Sequence, residues 1–273
     1  VVLQPEFEAQ IGETKYEFLS EAIAAVGEGD VVIELLKDAT LDYNAREAYG
    51  TAETTSLTIN GDGDGKTLTL NQTNSDWSSF GLKNAGAKVV FNDMTIEKTG
   101  YGDTSGAWNT HAIIFTSNVE MTDVTVNNSM AVQAGATLNN VTINEANGYY
   151  GLWINGNGQS VTMNGGAINA INGGRGIKVA DQYVDSPALV TLNVTGTKFN
   201  TAKKAAVLVS SKAGANITAS NVDITNVAED NVNFVWVDED WGPYYGKVTV
   251  TGGTLTQENL PVFVAALMNG AKV

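Results

Sequence analysis

The segment Ala136-Thr-Leu-Asn-Asn140-Val-Thr-Ile143 alternates apolar and polar side chains on both sides of Asn140. A period of two is typical of β-strands, and asparagine enters left-handed backbone conformations at low cost. The segment therefore predicts a strand, a corner of one residue and a second strand. The same eight-residue pattern begins again at Val89, Val119, Val161, Leu192, Ile217 and Val248.

The corner position of this pattern holds Asn, Asp or Gly in every copy: Asp93, Asp123, Asn140, Gly165, Gly196, Asn221 and Gly252. Two residues before the corner and three after it, every copy is apolar, whereas the residue directly before the corner is polar. Equivalent columns in successive copies indicate repeats that stack on one another. A β-sandwich is the alternative, but its turn residues would separate hairpin strands rather than recur inside a strand pair at fixed register.

Between successive corners lies a third apolar segment, for example residues 151–154 and 176–179. Three strands per coil with one sharp corner predict an all-β fold, a single-stranded right-handed parallel β-helix (solenoid), with the hand set by the rule for parallel crossovers. We expect one domain over residues 1–273, with stacked coils over about 31–268.

An amphipathic helix is predicted over residues 12–27. Thr14 and Glu17 have the spacing of a capping box, Leu19, Ala22 and Ile23 share a helical face, and Gly27 follows as a stop. A solenoid must cover the apolar end of its first coil, so we interpret this segment as an N-terminal capping helix.

The charge balance excludes some partners. Lys and Arg number 15 against 30 Asp and Glu, a net charge of −15, which disfavours nucleic acid and anionic membrane surfaces. There is no cysteine, and no stretch has the apolar length of a membrane span, so we predict no membrane insertion. The chain starts at Val1 without a methionine, and we expect a monomer that forms part of a longer protein.

Two stretches near the N-terminus carry a resemblance. Ile11-Gly-Glu-Thr-Lys-Tyr-Glu-Phe-Leu-Ser-Glu-Ala-Ile-Ala-Ala25 and Gly29-Asp-Val-Val-Ile-Glu-Leu-Leu-Lys-Asp-Ala-Thr40 resemble the opening of pectin-lyase-like β-helix regions in large surface proteins of gut bacteria, especially Gram-positive ones. The resemblance implies an extracellular, adhesin-like context, secreted or attached to the cell surface. It transfers no catalytic residue.

Asp62 and Asp64 alternate in a glycine-rich segment as the ligands of calcium loops do. The next alternate position is Lys66, and no glutamate closes a twelve-residue loop, so a glycine-rich turn is the favoured interpretation. No cofactor is predicted, and calcium is the one candidate ion.

Catalytic motifs of polysaccharide enzymes are not found in the sequence. The nearest segments are Arg175-Gly-Ile-Lys178 and Asp238-Glu-Asp240, and neither places two carboxylates across a glycosidic bond as hydrolysis requires. His111, the one histidine, follows a polar segment and has no evident Asp or Ser partner. We assign no catalytic residue, and the non-enzymatic interpretation is favoured over the enzymatic one.

The third strand of each coil supplies the candidate ligand-binding residues. Trp153, Lys178 and Trp236 occupy equivalent outward positions, and Gly151 and Gly176 suggest a shallow trough beside them. Aromatic rings on a flat face stack on sugar rings, which predicts a glycan-binding surface. The alternative is that loops cover this face and bury the tryptophans. Flanking aromatic residues complete the candidate set: Tyr149, Tyr150 and Trp241.

These patterns together predict a non-enzymatic extracellular module of a bacterial cell-surface protein, adhesin-like, structural or glycan-binding. Its expected partners are a polysaccharide, or a glycan or protein on a host or microbial surface. The alternative is a polysaccharide lyase or glycoside hydrolase with the pectin-lyase-like fold, because a fold does not fix a function.

Overall fold

The computed structural model describes residues 6–43, 48–63, 65–73, 78–101, 112–145, 150–170, 175–181, 184–201, 205–226, 233–237, 248–251 and 255–256. Among the described residues the protein is all-β, with 65% strand and almost no helix, and its parallel sheets form a β-solenoid. The parallel β-helix predicted from the eight-residue repeat is therefore confirmed.

The chain divides into two compact units, residues 1–127 and 128–273. The single-domain interpretation stays a prediction. The first unit contains β1 (Ala9–Ile11), β2 (Thr14–Tyr16), α1 (Leu19–Ala24), β3 (Gly29–Leu35), β4 (Ala39–Asp42), β5 (Ala48–Tyr49), β6 (Thr54–Asn60), β7 (Lys66–Gln72), β8 (Gly81–Leu82), β9 (Lys88–Gly100), β10 (Ile113–Phe115) and β11 (Asn118–Asn127).

The second unit contains only strands among its described residues. They are β12 (Met130–Val132), β13 (Ala136–Asn139), β14 (Thr142–Glu145), β15 (Tyr150–Asn155), β16 (Ser160–Asn164), β17 (Ala167–Ala170), β18 (Arg175–Ala180), β19 (Val190–Thr195), β20 (Lys198–Thr201), β21 (Ala205–Ser210), β22 (Ala215–Ser220), β23 (Val222–Asn226), β24 (Asn233–Val237), β25 (Val248–Thr251) and β26 (Leu255–Thr256). The coils predicted over residues 257–268 lie outside the described residues.

Strands stack in parallel and in register within each unit. In the first, β3, β6, β9 and β11 pair in that order, which aligns the apolar column Ile33, Ile59, Phe91 and Met121. In the second, β13, β16, β19 and β22 align Leu138, Met163, Val194 and Ala219. All eight side chains are at most 1% exposed. These columns form the core of each unit, because the same position of every repeat points inward.

The second unit has three parallel ladders, as three strands per coil require. One ladder consists of β13, β16, β19 and β22, which carry the apolar column of this unit. The second ladder consists of β14, β17, β20, β23 and β26. The strands β12, β15, β18, β21 and β24 form the third ladder.

The corner residues adopt the left-handed backbone that the repeat predicts. The φ angles are 54° at Asp93, 56° at Asp123, 53° at Asn140 and 52° at Asn221. The corner glycines Gly165 and Gly196 also have positive φ, whereas Gly252 lies outside the described residues. The chain can therefore turn within one residue and continue as a strand in the next wall of the coil.

Polar side chains on the outer side of stacked strands bond to one another. In the first unit, Asn92 Nδ2 donates to Asn60 Oδ1 at 2.9 Å, and Asn60 Nδ2 donates to Glu34 Oε1 at 2.9 Å. In the second, Asn169 Nδ2 donates to Asn144 Oδ1 at 2.7 Å, and Asn200 Nδ2 donates to Asn169 Oδ1 at 2.5 Å. An amide has a donor and an acceptor, so it bonds to the coils on both sides.

The N-terminal segment differs from its prediction. Residues 12–27 were expected to be one helix with Thr14 as its N-cap, but Thr14 lies in β2, which pairs antiparallel with β1. The pair Ile11 and Thr14 closes a two-residue turn in which Gly12 has a φ of 56°. Glycine at the first turn position is typical of a β-hairpin, so the hairpin forms where the capping-box spacing suggested a helix. The helix α1 begins only at Leu19.

The hairpin also contacts the first coil. β1 pairs antiparallel with β3, with Ala9 opposite Leu35 and Gln10 opposite Glu34. Leu19, Ala22 and Ile23 of α1 are buried. The capping role of the helix stays a prediction, whereas the hairpin is seen to occupy part of an edge of β3.

We expect Asn221→Ala to be less stable than Asn221→Gly by about 1 kcal/mol, because a Cβ disfavours the left-handed conformation and both changes remove the same amide. The free energy of unfolding in urea measures this difference. Equal stability of the two variants would contradict the corner assignment.

Candidate functional site

The candidate residues of the third ladder come together on β15 and β18. These strands are parallel neighbours, with Tyr150 opposite Arg175 and Trp153 opposite Lys178. We call these four residues the Lys178 cluster. Trp236 lies in β24, where its backbone is opposite Leu208, but its side chain is not described. Tyr149 and Trp241 lie outside the described residues.

The face that carries the Lys178 cluster is covered. Trp153 is 4% exposed and Lys178 is 1% exposed, whereas Tyr150 is half-buried. The expectation that Trp153 projects into solvent is therefore wrong, and a sugar ring has no free indole face on which to stack. Burial of the third ladder agrees with the alternative interpretation, in which this face is covered. Ligand binding by the cluster stays a prediction.

Two cations converge on one phenol in the Lys178 cluster. Lys178 Nζ donates to Tyr150 Oη at 2.9 Å, and Arg175 Nη1 donates to the same oxygen at 3.4 Å. Lys178 Nζ also lies 4.4 Å from the centre of the Tyr150 ring and 5.9 Å from the Trp153 ring. A hydrogen bond and two aromatic faces offset part of the cost of burying an ammonium group. The arrangement can hold a buried cation, and a lysine beside a tyrosine can also exchange a proton.

Gly151 and Gly176 face the core rather than an outer trough. A Cβ at Gly151 would collide with the Ile168 side chain, and a Cβ at Gly176 would meet Phe199 at 2.8 Å. Ile168 and Phe199 are fully buried. The predicted trough is therefore wrong at these two positions, and the glycines allow the third ladder to approach the core side chains closely.

The Gly151→Ala variant is expected to lose about 1–3 kcal/mol of stability, because the added methyl group overpacks the contact with Ile168. Gly27→Ala is the matched control, since a Cβ there meets nothing within 4 Å and its φ is not positive. Thermal and urea unfolding of both variants measure the loss. A Gly151→Ala protein as stable as the control would contradict the packing argument.

The candidate calcium segment is described only in part. Asp62 is exposed with a φ of 58°, and Asp64 lies outside the described residues. Among the residues that the structure describes, no three His, Asp or Glu side chains gather at a metal-binding distance. His111 and residues 238–240 also lie outside the described ranges.

A cleft in the first unit was not predicted from the sequence. Its volume is about 480 Å³, and it lies between α1, β4 and β5. The lining side chains come from four separated stretches: Phe18, Ser20, Ile23, Ala24 and Val26; Thr40, Leu41 and Asp42; Ala48, Tyr49 and Gly50; and Lys83. We call this the α1 cleft. Local periodicity gives no signal for it, because its lining residues lie far apart in the sequence.

Tyr43 directly follows β4, whose last residue, Asp42, lines the α1 cleft. Its hydroxyl donates to the Ser78 carbonyl at 2.9 Å, lies 3.3 Å from the Ile114 carbonyl and accepts from the Ile114 amide at 2.9 Å. The side chain is 1% exposed, and burial raises the pKa of the phenol well above its usual range. The folded protein therefore keeps this phenol neutral at pH values at which the unfolded chain would already have lost the proton.

This raised pKa predicts a stability loss in alkali. The contribution of Tyr43 to the free energy of unfolding is fully present below the pKa of the unfolded side chain, about 10. It declines as the pH rises from that value toward the pKa of the folded side chain, because the unfolded state loses a proton that the folded state keeps. The free energy of unfolding should therefore fall more steeply between pH 9 and 11 in the wild type than in Tyr43→Phe. Equal slopes would contradict a buried neutral phenol.

Comparison of the chain with protein-family models, with curated proteins and with solved structures gives no match in any of the three. The class that the structure defines is the parallel β-solenoid. No helix within the described ranges is long and apolar enough to cross a membrane.

Proposed function

We propose that this chain is a non-enzymatic extracellular module of a bacterial cell-surface protein, adhesin-like or structural, with a solenoid of the pectin-lyase-like type. The resemblance of residues 11–25 and 29–40 supports this context. In this role the solenoid places a rigid surface away from the point of attachment to the cell, and a glycan or protein binds to that surface.

The observation that carries the proposal is the set of outward asparagine ladders. Glu34, Asn60 and Asn92 bond in series in the first unit, as do Asn144, Asn169 and Asn200 in the second. Each of these hydrogen bonds joins two neighbouring strands that lie roughly 4.8 Å apart, so the polar side chains stiffen the stack of coils. Polar side chains that bond to one another between strands suit a scaffold, because these hydrogen bonds fix their positions.

A polysaccharide lyase or glycoside hydrolase is the second candidate function. The observation in its favour is the Lys178 cluster, in which a lysine and a tyrosine lie within hydrogen-bond distance. A lyase needs a base and an acid at the reacting carbon and leaving oxygen, and among the described residues Lys178 and Tyr150 form a pair with those two chemistries. The 1% exposure of Lys178 counts against this candidate.

The test incubates the full chain with plant, mucin and microbial polysaccharides, with and without calcium. Retention of the protein on insoluble material and the formation of new reducing or unsaturated ends are measured together. We expect retention on at least one surface with no new ends, because a scaffold binds without cleaving.

New ends would overturn the non-enzymatic proposal. Lys178→Met then serves as the control that assigns the activity, because it keeps the length of the side chain and removes its proton-transfer group. Loss of the new ends in that variant would place the chemistry in the Lys178 cluster. Retention on no surface would contradict the adhesin-like role.

A further inference from the structure

The α1 cleft combines a size, a lining and an exposed aromatic ring that the solenoid itself does not need. Its volume of about 480 Å³ lies within the range of small-ligand sites, roughly 300–1,000 Å³. Buried Ile23, Val26 and Leu41 contribute apolar surface, and exposed Ser20 and Thr40 contribute hydroxyl groups. The lining therefore mixes the two kinds of surface, and more of it is polar than apolar, which suits a ligand that carries both C–H faces and hydroxyl groups.

Phe18 occupies a position that sequence preference would give to another residue. It is the N-cap of α1, where Ser, Thr, Asp or Asn usually accept a hydrogen bond from the first turn. Here two carboxylates do so instead: Glu8 Oε2 accepts from the Leu19 amide at 2.9 Å and Glu21 Oε2 accepts from the Phe18 amide at 3.3 Å. Phe18 is 51% exposed and lines the cleft. The proposed site uses the Phe18 ring, because the amides of Phe18, Leu19 and Glu21 already donate hydrogen bonds within the protein.

Tyr49 supplies a second ring whose position is fixed. It packs against buried Phe80 with ring centres 4.8 Å apart, and its strand β5 pairs with β8, with Tyr49 opposite Leu82. The Lys83 amide donates to the Tyr49 carbonyl at 3.0 Å, which places Lys83 directly beside it. A ring held by such contacts loses little conformational entropy when a ligand binds.

The charges at the cleft select a neutral ligand. Asp42 and Lys83 are both exposed and of opposite sign, and Asn71 Nδ2 donates to one Asp42 oxygen at 3.2 Å. Asp42 and Lys83 balance each other's charge at the cleft, so the lining there has no net charge that would favour an anion or a cation. A purely apolar ligand would desolvate Asp42 and Lys83 without giving them hydrogen bonds.

From these features we infer that the α1 cleft binds a neutral saccharide. The C–H face of a sugar ring stacks on Phe18 and Tyr49, and its hydroxyl groups bond to Asp42, Lys83 and the hydroxyls of Ser20 and Thr40. The inference does not rest on the proposed surface role, since it concerns one cleft of the first unit and not the outward ladders.

The test is saturation-transfer nuclear magnetic resonance on the full chain, with the methyl glycosides of glucose, galactose, mannose and N-acetylglucosamine as probes. We expect transfer to the ring protons of at least one glycoside. Phe18→Ala should weaken that binding by about two- to ten-fold, which corresponds to the roughly 0.5–1.5 kcal/mol of one aromatic contact.

Tyr101→Ala is the matched control, because Tyr101 is also an exposed aromatic residue of the first unit, at 47%, and does not line the cleft. It should leave the binding unchanged, and far-ultraviolet circular dichroism checks the fold of both variants. A second variant, Asp42→Asn, keeps the shape of the rim and should also weaken binding.

Three results would overturn the inference: no transfer to any of the four glycosides, equal transfer in wild type and Phe18→Ala, or an equal loss in Phe18→Ala and Tyr101→Ala. Each is distinguishable from failure of the surface proposal. Retention on insoluble polysaccharide can fail while a methyl glycoside binds, and the reverse can also occur.

Discussion

The structure depends on a backbone that turns within a single residue at the same place of the repeat, as it does at six described corners: Asp93, Asp123, Asn140, Gly165, Gly196 and Asn221. Most residues cannot do this, because a Cβ clashes with the neighbouring carbonyl group when φ is positive. Asp93, Asp123, Asn140 and Asn221 accept the conformation and keep the strand on either side regular. Since the corners recur at a fixed offset from the apolar positions, each coil places its core side chains over those of the coil before it. The in-register core is a consequence of that geometry.

The walls of the coil were predictable from sequence because their signal is local. The corner at Asn140 and the inward position of Leu138 follow from residues within a few positions of each other. The N-terminal segment was not predicted correctly, because Thr14 and Glu17 satisfied a helix pattern while Gly12 favoured a tight hairpin turn. Two local signals competed, and pairing of β1 with β3 supplied the tertiary contact that decided between them.

The sites were less predictable than the walls because burial of an outward side chain depends on what packs against it. Alternation along β15 gives the direction of Trp153, but no local rule gives its 4% exposure. Regular alternation also fails at Gly151, which lies two residues before Trp153, because a Cβ there would collide with the core side chain of Ile168. The α1 cleft assembles residues as far apart as Phe18 and Lys83, so only the folded chain brings them together.

The hairpin of β1 and β2 has a further consequence. A parallel ladder of stacked coils is a template that any compatible strand can extend, which is how cross-β fibres grow. β1 runs antiparallel across Glu34 and Leu35 of β3, and β2 is a three-residue strand that carries Lys15. A short, charged strand of reversed direction cannot continue the parallel register. The hairpin therefore blocks the addition of a parallel strand at Glu34 and Leu35, the part of this edge that it occupies.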